Sequence, residues 1–313
     1  MNKIYDVMIL GAGAAGLTAG IYASRARLDT LILNEGAVGG QMVLTNEIAN
    51  YPGVETTNGY IVANTMKKQA KDFGCTIKSN IKIVEYNLDA QVKSVKLDDG
   101  REFHSKSVIL TPGGRPRPLN IPGENDFKGT GISYCATCDG EFFTGQELIV
   151  VGGGNSALEE AVSLTNYATK ITIVHQFDHF QAFEHAVQEA KNNPKINFIM
   201  KSELRGFYGN GKLDHVTIEH LPSGKITKMK IDGVFIFAGY LPNTESLQNH
   251  IQLNERNEIV VDADMKTNVS GVFAAGDCIA KRYRQVTTAV AEGTIAALSA
   301  GEYIRSSESD SNS

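Results

Sequence analysis

An apolar run from Ile4 to Leu10 breaks into Gly11-Ala12-Gly13-Ala14-Ala15-Gly16, and a stretch with apolar periodicity (Leu17, Ile21, Tyr22) follows to about Arg27. A second apolar run at 30–33 leads into Asn34-Glu35. Near-continuous apolar runs suit strands buried on both faces of a parallel sheet. Strand, glycine turn, helix, strand and acid in that order form a dinucleotide-binding βαβ unit. Gly11 permits the tight turn, Gly13 lets backbone N–H groups approach a pyrophosphate, and Gly16 lets helix and sheet pack closely. Ala14 and Ala15 open a helix whose N-terminus offers partial positive charge to phosphates. Glu35 falls where a carboxylate accepts hydrogen bonds from ribose hydroxyls. The candidate contacts are therefore Gly11, Ala12, Gly13, Ala14, Ala15, Gly16, Asn34 and Glu35.

The unit recurs. Glu147–Val151 reads as a strand, Gly152-Gly153-Gly154-Asn155-Ser156-Ala157 as the turn, 158–167 as the helix and Lys170–Val174 as the next strand. Ala157 in the third glycine position still permits close helix–strand packing. The interval from Gly11 to Glu35 equals that from Gly152 to Gln176, 24 residues. Gly152, Gly154, Asn155, Ser156, Ala157 and Gln176 are thus candidate contacts of a second dinucleotide. Two such sites in one chain suggest a tightly held flavin, FAD, and an exchangeable NADH or NADPH.

The order of elements implies an α/β fold with two Rossmann-like dinucleotide-binding domains. Turn-rich connections at Gly113-Gly114-Arg115-Pro116-Arg117-Pro118 and Gly239-Tyr240-Leu241-Pro242-Asn243-Thr244 flank the second unit. The second domain, 116–245, is inserted into a discontinuous FAD domain made of 1–115 and 246–305. A strand at 271–275, Gly276-Asp277 and a helix at 285–300 complete the first domain. The Ser-rich, acidic tail 306–313 is expected to be disordered.

Composition narrows the function class. A net charge of −5 over 313 residues offers no basic footprint for nucleic acid. No apolar run is long enough for a membrane helix, and the N-terminus lacks the layout of a signal peptide. Four cysteines, two of them isolated, do not make a secreted disulfide framework, so a cytoplasmic protein is expected.

The remaining signal is Ser133-Tyr134-Cys135-Ala136-Thr137-Cys138-Asp139-Gly140. Two intervening residues bring thiols close enough for a disulfide of short span that is easily made and broken. One thiolate attacks a partner disulfide and the other resolves the mixed disulfide. Asp139 is placed to exchange protons with the leaving thiolate. The alternative is zinc, which wants four ligands. Cys75 and Cys278 stand alone, and no histidine pair accompanies Cys135 and Cys138. Redox chemistry without a metal is the reading. Cys75 reads as a small buried hydrophobe at the head of a strand.

Over residues 4–304 the chain resembles the low-molecular-weight thioredoxin reductases. The resemblance is carried by the glycine turns, Gly39-Gly40-Gln41, Asn50-Tyr51-Pro52-Gly53, the Cys135-Ala136-Thr137-Cys138-Asp139-Gly140 motif, Pro242-Asn243-Thr244, Gly276-Asp277 and Tyr283-Arg284-Gln285. It implies that Cys138 sits against the flavin, that Cys135 attacks thioredoxin and that Asp139 is the acid–base. It further implies that Asp277 binds the ribityl chain and that Arg284 and Gln285 hold the pyrophosphate and the flavin edge. Gly40, Gln41, Asn50, Gly113, Gly276 and Val286 join the FAD contacts on the same ground. The family is a homodimer whose nucleotide domain rotates between hydride delivery and thioredoxin docking.

Two departures stand out. NADPH-using members carry His-Arg-Arg after the second strand and another arginine four positions on. Here the stretch is His175-Gln176-Phe177-Asp178-His179-Phe180-Gln181, which has no arginine and places an acid where a phosphate would lie. Losing several charge-assisted contacts costs about 1.5–3 kcal/mol each. The stretch therefore predicts NADH accepted at least as well as NADPH, unless His175, His179 or a lysine elsewhere reaches the phosphate. The second departure is Leu110-Thr111-Pro112-Gly113-Gly114, where the family reads Ala-Thr-Gly. Competing readings are a dithiol reductase fed by ferredoxin and a non-enzymatic FAD-binding redox sensor. The intact second glycine turn argues against the first, and Asp139 against the second. With no N-terminal extension before Ile4, a peroxiredoxin reductase with its own thioredoxin-like domain is not the expectation.

Overall fold

The computed structural model describes residues 3–44, 48 and 50–311. The chain forms two compact units, Met1–Arg115 with Leu241–Ser313, and Pro116–Tyr240. The first unit resumes at Leu241, earlier than the expected 246. Asn243 explains the difference: its N–H donates to the Gly113 carbonyl and its Nδ2 to the Pro112 carbonyl, both at 3.0 Å. Glu245 also pairs with Arg115 at 3.2 Å.

The first unit begins with β1 (Ile4–Leu10), α1 (Ala14–Arg25), β2 (Thr30–Asn34), α2 (Gly59–Asp72) and β3 (Thr76–Ser79). β4 (Ile83–Asn87), β5 (Lys93–Leu97) and β6 (Glu102–Leu110) follow. The sheet order is β3-β2-β1-β6-β5-β4. β1 lies between β2 and β6, parallel to both, with Val7 opposite Thr30 and Ser107. Its side chains alternate as strand geometry requires. Val7 and Ile9 face the core shared with the helices, while Met8 and Leu10 enter the opposite core. Each such side chain contributes about 1.5–3 kcal/mol when fully buried.

β7 (Gly114–Pro116) opens the connection to the second unit, which contains β8 (Ile132–Ser133), α3 (Ala136–Asp139), β9 (Glu147–Val151), α4 (Asn155–Leu164) and β10 (Lys170–Val174). It continues with α5 (Glu184–Asn192), β11 (Ile196–Ile199), β12 (Ser202–Gly209), β13 (Leu213–His220), β14 (Lys225–Lys230) and β15 (Gly233–Ile236). A sheet of order β11-β10-β9-β15-β8 carries the helices on one face. Its other face is covered by the three-stranded β12-β13-β14 sheet, through Phe207, Val216 and Ile218. β9, α4 and β10 repeat the topology of β1, α1 and β2.

The chain leaves by β16 (Tyr240–Pro242), which pairs with β7. β17 (Val272–Ala274) then docks parallel to the last three residues of β6, and α6 (Val286–Ser311) closes the first unit. α6 runs on through the Ser-rich tail as far as Ser311. Once a helix is nucleated, each further turn costs little. Ser306 and Ser307 both donate to the Tyr303 carbonyl at 2.9 Å, and Ser309 to the Arg305 carbonyl at 3.0 Å, so their hydroxyls are satisfied on the helix itself. Residues 312–313 lie outside the described residues. Among the described residues, no helix is long and apolar enough to cross a membrane.

Candidate functional site

In the first unit the glycine turn is held from three sides. Gly11 has φ +117°, and a Cβ there would stand 2.1 Å from the Thr111 carbonyl oxygen. A Cβ on Gly16 would meet the Gly11 oxygen at 2.0 Å. Both glycines are demanded by the protein's own packing. Gly13 is different: a Cβ there would meet nothing within 4 Å. It caps α1 without a side-chain hydrogen bond, and no acid stands in the first turn. The unsatisfied N–H groups of a helix start and the open space above Gly13 fit a dinucleotide pyrophosphate. The departure at Thr111-Pro112 proves structural. The Thr111 hydroxyl donates to the Gly11 carbonyl at 3.0 Å, which helps fix the turn.

Of the other expected FAD contacts, Gly40, Gly276 and Asn34 abut this turn. Gly39 N–H donates to the Ala12 carbonyl at 2.7 Å, and Gly40 lies over Gly13, where an added Cβ would be 3.1 Å from its Cα. Gly276 abuts Ala15, with a Cβ-to-Cβ distance of 2.9 Å if it bore one. Asn50 Nδ2 donates to Gln285 Oε1 at 3.3 Å across 235 residues of sequence. Gln41 is exposed in the short helix Gly40–Leu44, and Val286 opens α6. Gly113 has φ +65° and nothing near its would-be Cβ. Asn34 braces the loop, accepting from Ala12 N–H at 2.9 Å and donating to the Gly36 and Ala37 carbonyls. Glu35 is exposed and accepts the Ile83 N–H at 3.1 Å. Arg284 pairs with the buried Glu258 and donates through Nε to the Asp277 carbonyl.

Sequence reasoning missed the groups behind Asp277. Lys281 Nζ lies 3.1 Å from Asp277 Oδ1 and 2.8 Å from Glu292 Oε2, and Glu292 Oε2 accepts the Gly276 N–H at 2.9 Å. Burial pushes the Glu292 carboxyl up, and Lys281 opposes that shift. The i,i+4 spacing of Asp277 and Lys281 was the only local signal.

In the second unit Gly152 has φ +135°, and a Cβ there would lie 2.6 Å from the Phe237 oxygen. Gly153, not singled out in the sequence, is required by the His175 ring, which a Cβ would meet at 2.4 Å. Gly154 leaves room above it, a Cβ there meeting the Gln181 oxygen only at 3.8 Å. It caps α4 without a side chain, the arrangement that suits a second dinucleotide. Ser156 is exposed in the first turn and Ala157 is buried against the sheet. Asn155 Oδ1 accepts the Phe183 N–H at 2.7 Å, and Gln181 N–H donates to the Gly153 carbonyl at 2.8 Å. Segment 175–183 is thereby pinned beside the turn. Gln176 is exposed, two residues beyond β10.

Cys135 and Cys138 form a disulfide with a Cα–Cα separation of 5.3 Å. Cys135 caps α3, and the Cys138 N–H donates to its Sγ at 3.2 Å. Asp139 accepts the Ser133 hydroxyl through Oδ2 at 2.6 Å, and Ser133 Oγ also accepts the Cys135 N–H at 3.1 Å. Burial raises the Asp139 pKa, against the opposing Ser133 hydrogen bond. A second carboxylate, Glu160 on α4, bonds the Thr137 hydroxyl between the cysteines; burial and neighbouring Glu159 raise its pKa. Tyr134 donates to the buried Glu124 at 2.6 Å, fixing the residue before Cys135. Cys75 and Cys278 are buried, with thiols pushed up by burial to about 11 and about 12, so neither is a nucleophile at neutral pH.

A dinucleotide turn repeated in a second unit that also bears a redox disulfide defines a class. The chain matches the pyridine nucleotide-disulphide oxidoreductase family over residues 5–293. It is 42% identical over 311 residues to a thioredoxin reductase of Peptoclostridium acidaminophilum, covering 97% of this chain and 98% of the relative. It is also 42% identical to that of Bacillus subtilis, covering 97% and 96%. The crystal structure of thioredoxin reductase from Streptococcus pyogenes superposes with a TM-score of 0.90 at 38% identity, over 98% of this chain and all of that one. The protein is an oxidoreductase that belongs to the low-molecular-weight thioredoxin reductase family. That family membership implies FAD and a nicotinamide nucleotide.

Proposed function

We propose that the protein is a thioredoxin-disulfide reductase in which electrons pass from a reduced nicotinamide nucleotide, through FAD, to the Cys135–Cys138 disulfide and on to thioredoxin or a thioredoxin-like protein. One observation carries the reading: two glycine turns left open at Gly13 and Gly154 in a chain that also holds a disulfide beside a half-buried aspartate. The first unit would hold FAD through the turn, Gly40, Asn50, Asp277 and Gln285, and the second would hold the nicotinamide nucleotide. When bound, FAD supplies two-electron transfer between a nicotinamide hydride and a disulfide.

The thiol steps belong to this chain. Two electrons and two protons convert the disulfide to a dithiol. The Cys138 N–H stabilises negative charge on Cys135 Sγ, which favours Cys135 as the attacking thiolate. It attacks one sulfur of the partner disulfide, forms a mixed disulfide and releases the other sulfur as a thiolate. Asp139, kept protonated to higher pH by burial, supplies a proton to that leaving sulfur. Cys138 then attacks Cys135 Sγ, restores the internal disulfide and releases the reduced partner. The resemblance adds a homodimer, and the cysteine usage a cytoplasmic setting.

For the donor we infer NADH used at least as well as NADPH. Gln176 and Phe177 are exposed where arginines would grip a 2′-phosphate, and Asp178 adds a negative charge. Anaerobic stopped-flow mixing of the yellow protein with NADH, NADPH and reduced ferredoxin tests this. Bleaching by NADH, followed by reduction of a thioredoxin disulfide, is the expected outcome. Bleaching by ferredoxin alone would replace the nicotinamide reading.

A further inference from the structure

Segment 175–178, where the adenosine ribose of a bound nucleotide would lie, has a cation beside it from the β11–β12 connection. β10 and β11 run parallel with Val174 opposite Ile199. The pairing continues past both strand ends: His175 N–H donates to the Ile199 carbonyl and Lys201 N–H to the Phe177 carbonyl, each at 3.0 Å. Lys201 is thus held alongside Gln176 and Phe177, the residues just beyond the second strand of the dinucleotide unit, where ribose hydroxyls are read. Its backbone is left-handed, φ 51°, a conformation that favours glycine or asparagine. The lysine Nζ pairs with Asp178 Oδ2 at 3.2 Å, and Asp178 Oδ1 also takes His179 Nδ1 at 2.9 Å. Both partners are substantially exposed, with 47% and 61% of their side chains accessible.

We propose that Lys201 is a cation of the adenosine-ribose subsite and that Asp178 neutralises it, so that this ion pair disfavours a 2′-phosphate. The inference rests on the reading that a nicotinamide nucleotide binds the second unit. An exposed pair of this kind is weak and screened. Its effect lies less in the strength of the bridge than in placing a negative charge where a phosphate dianion would otherwise meet a positive one. Removing the acid leaves Lys201 free to turn toward that phosphate, which the absence of arginine alone would not permit.

Binding of AMP and of adenosine 2′,5′-bisphosphate to the oxidised holoprotein, measured by isothermal titration calorimetry, tests the proposal without hydride transfer. Asp178→Asn should tighten the bisphosphate about fivefold or more, leave AMP within twofold, and lose the gain as salt rises. Asp178→Asn with Lys201→Met should return the bisphosphate affinity to the starting value, with an unchanged melting temperature confirming the fold. No gain in Asp178→Asn, a gain that survives removal of Lys201, or no nucleotide binding by any variant would each overturn it. A protein bleached only by ferredoxin, yet showing the Lys201-dependent gain, would separate failure of the donor reading from failure of this one.

Discussion

The Ser133 hydroxyl lies 2.6 Å from Asp139 Oδ2 and is the hydrogen bond that opposes the effect of burial on this carboxyl. The same oxygen accepts the Cys135 N–H, so one serine orients both the acid and the first cysteine. Ser133→Ala should therefore raise the Asp139 pKa further and weaken the hold on Cys135. The limb of the pH–activity profile assigned to Asp139 should move to higher pH. An unmoved profile would detach Asp139 from that limb.

Asp139→Asn should slow thioredoxin reduction by about 10²-fold or more, since general acid catalysis contributes on that scale. Its stability should change in the opposite sense. The folded-state pKa of Asp139 is raised, so its contribution to stability is fully present below the unfolded carboxylate pKa and is lost as pH rises through the folded one. The amide keeps an acceptor for Ser133 and carries no charge. Thermal melts from pH 4 to pH 8 should show the variant gaining on the wild type as pH rises. A difference that does not vary with pH would contradict the burial of an ionised Asp139.

Cys135→Ser and Cys138→Ser should each abolish disulfide reductase turnover while retaining FAD. The single cysteines left behind should differ. Cys135 in the Cys138→Ser chain keeps the N–H of residue 138 on its sulfur, so its thiolate fraction at pH 7 is the larger. Iodoacetamide should label it faster than it labels Cys138 in Cys135→Ser. The reverse order would exchange the assigned roles.

Gly11 and Gly13 should respond differently to substitution. Gly11→Ala places a Cβ 2.1 Å from the Thr111 oxygen at φ +117°, so it should lower the melting temperature with or without FAD. The strained backbone alone is worth about 1–3 kcal/mol. Gly13→Glu meets open space in the chain itself, so the protein should fold but emerge colourless, because a carboxylate would stand where an anionic pyrophosphate binds. Absorbance at the flavin band against circular dichroism separates the two outcomes. A yellow Gly13→Glu protein would remove the turn from FAD binding.

Lys281→Met should leave two carboxylates, Asp277 and Glu292, without their shared cation. Breaking a buried pair by deleting one partner costs about 3–5 kcal/mol, and the partly accessible Asp277 places this case toward the lower end. FAD retention on dilution should fall with it. Adding Glu292→Gln should recover part of both losses. Full FAD retention in Lys281→Met would show that Asp277 needs no support.

What this chain's sequence determined by itself is what local covalent pattern encodes. The runs Ile4–Leu10, Glu147–Val151 and Lys170–Val174 coincide with strands because burial on both faces of a parallel sheet requires continuous apolar side chains. Both glycine turns and the Cys-x-x-Cys pair are likewise legible, since turn sterics and a short disulfide act over a few residues. The tertiary structure decided everything that depends on residues far apart meeting. It docked β17 onto the end of β6, brought Asn50 to Gln285, set Lys281 between Asp277 and Glu292, and paired Lys201 with Asp178. It also carried α6 through a polar tail, because extending a formed helix needs no apolar face. Hydrogen bonds and ion pairs of this kind leave no periodic trace in the chain, for their geometry exists only once the strands and helices that carry them have packed.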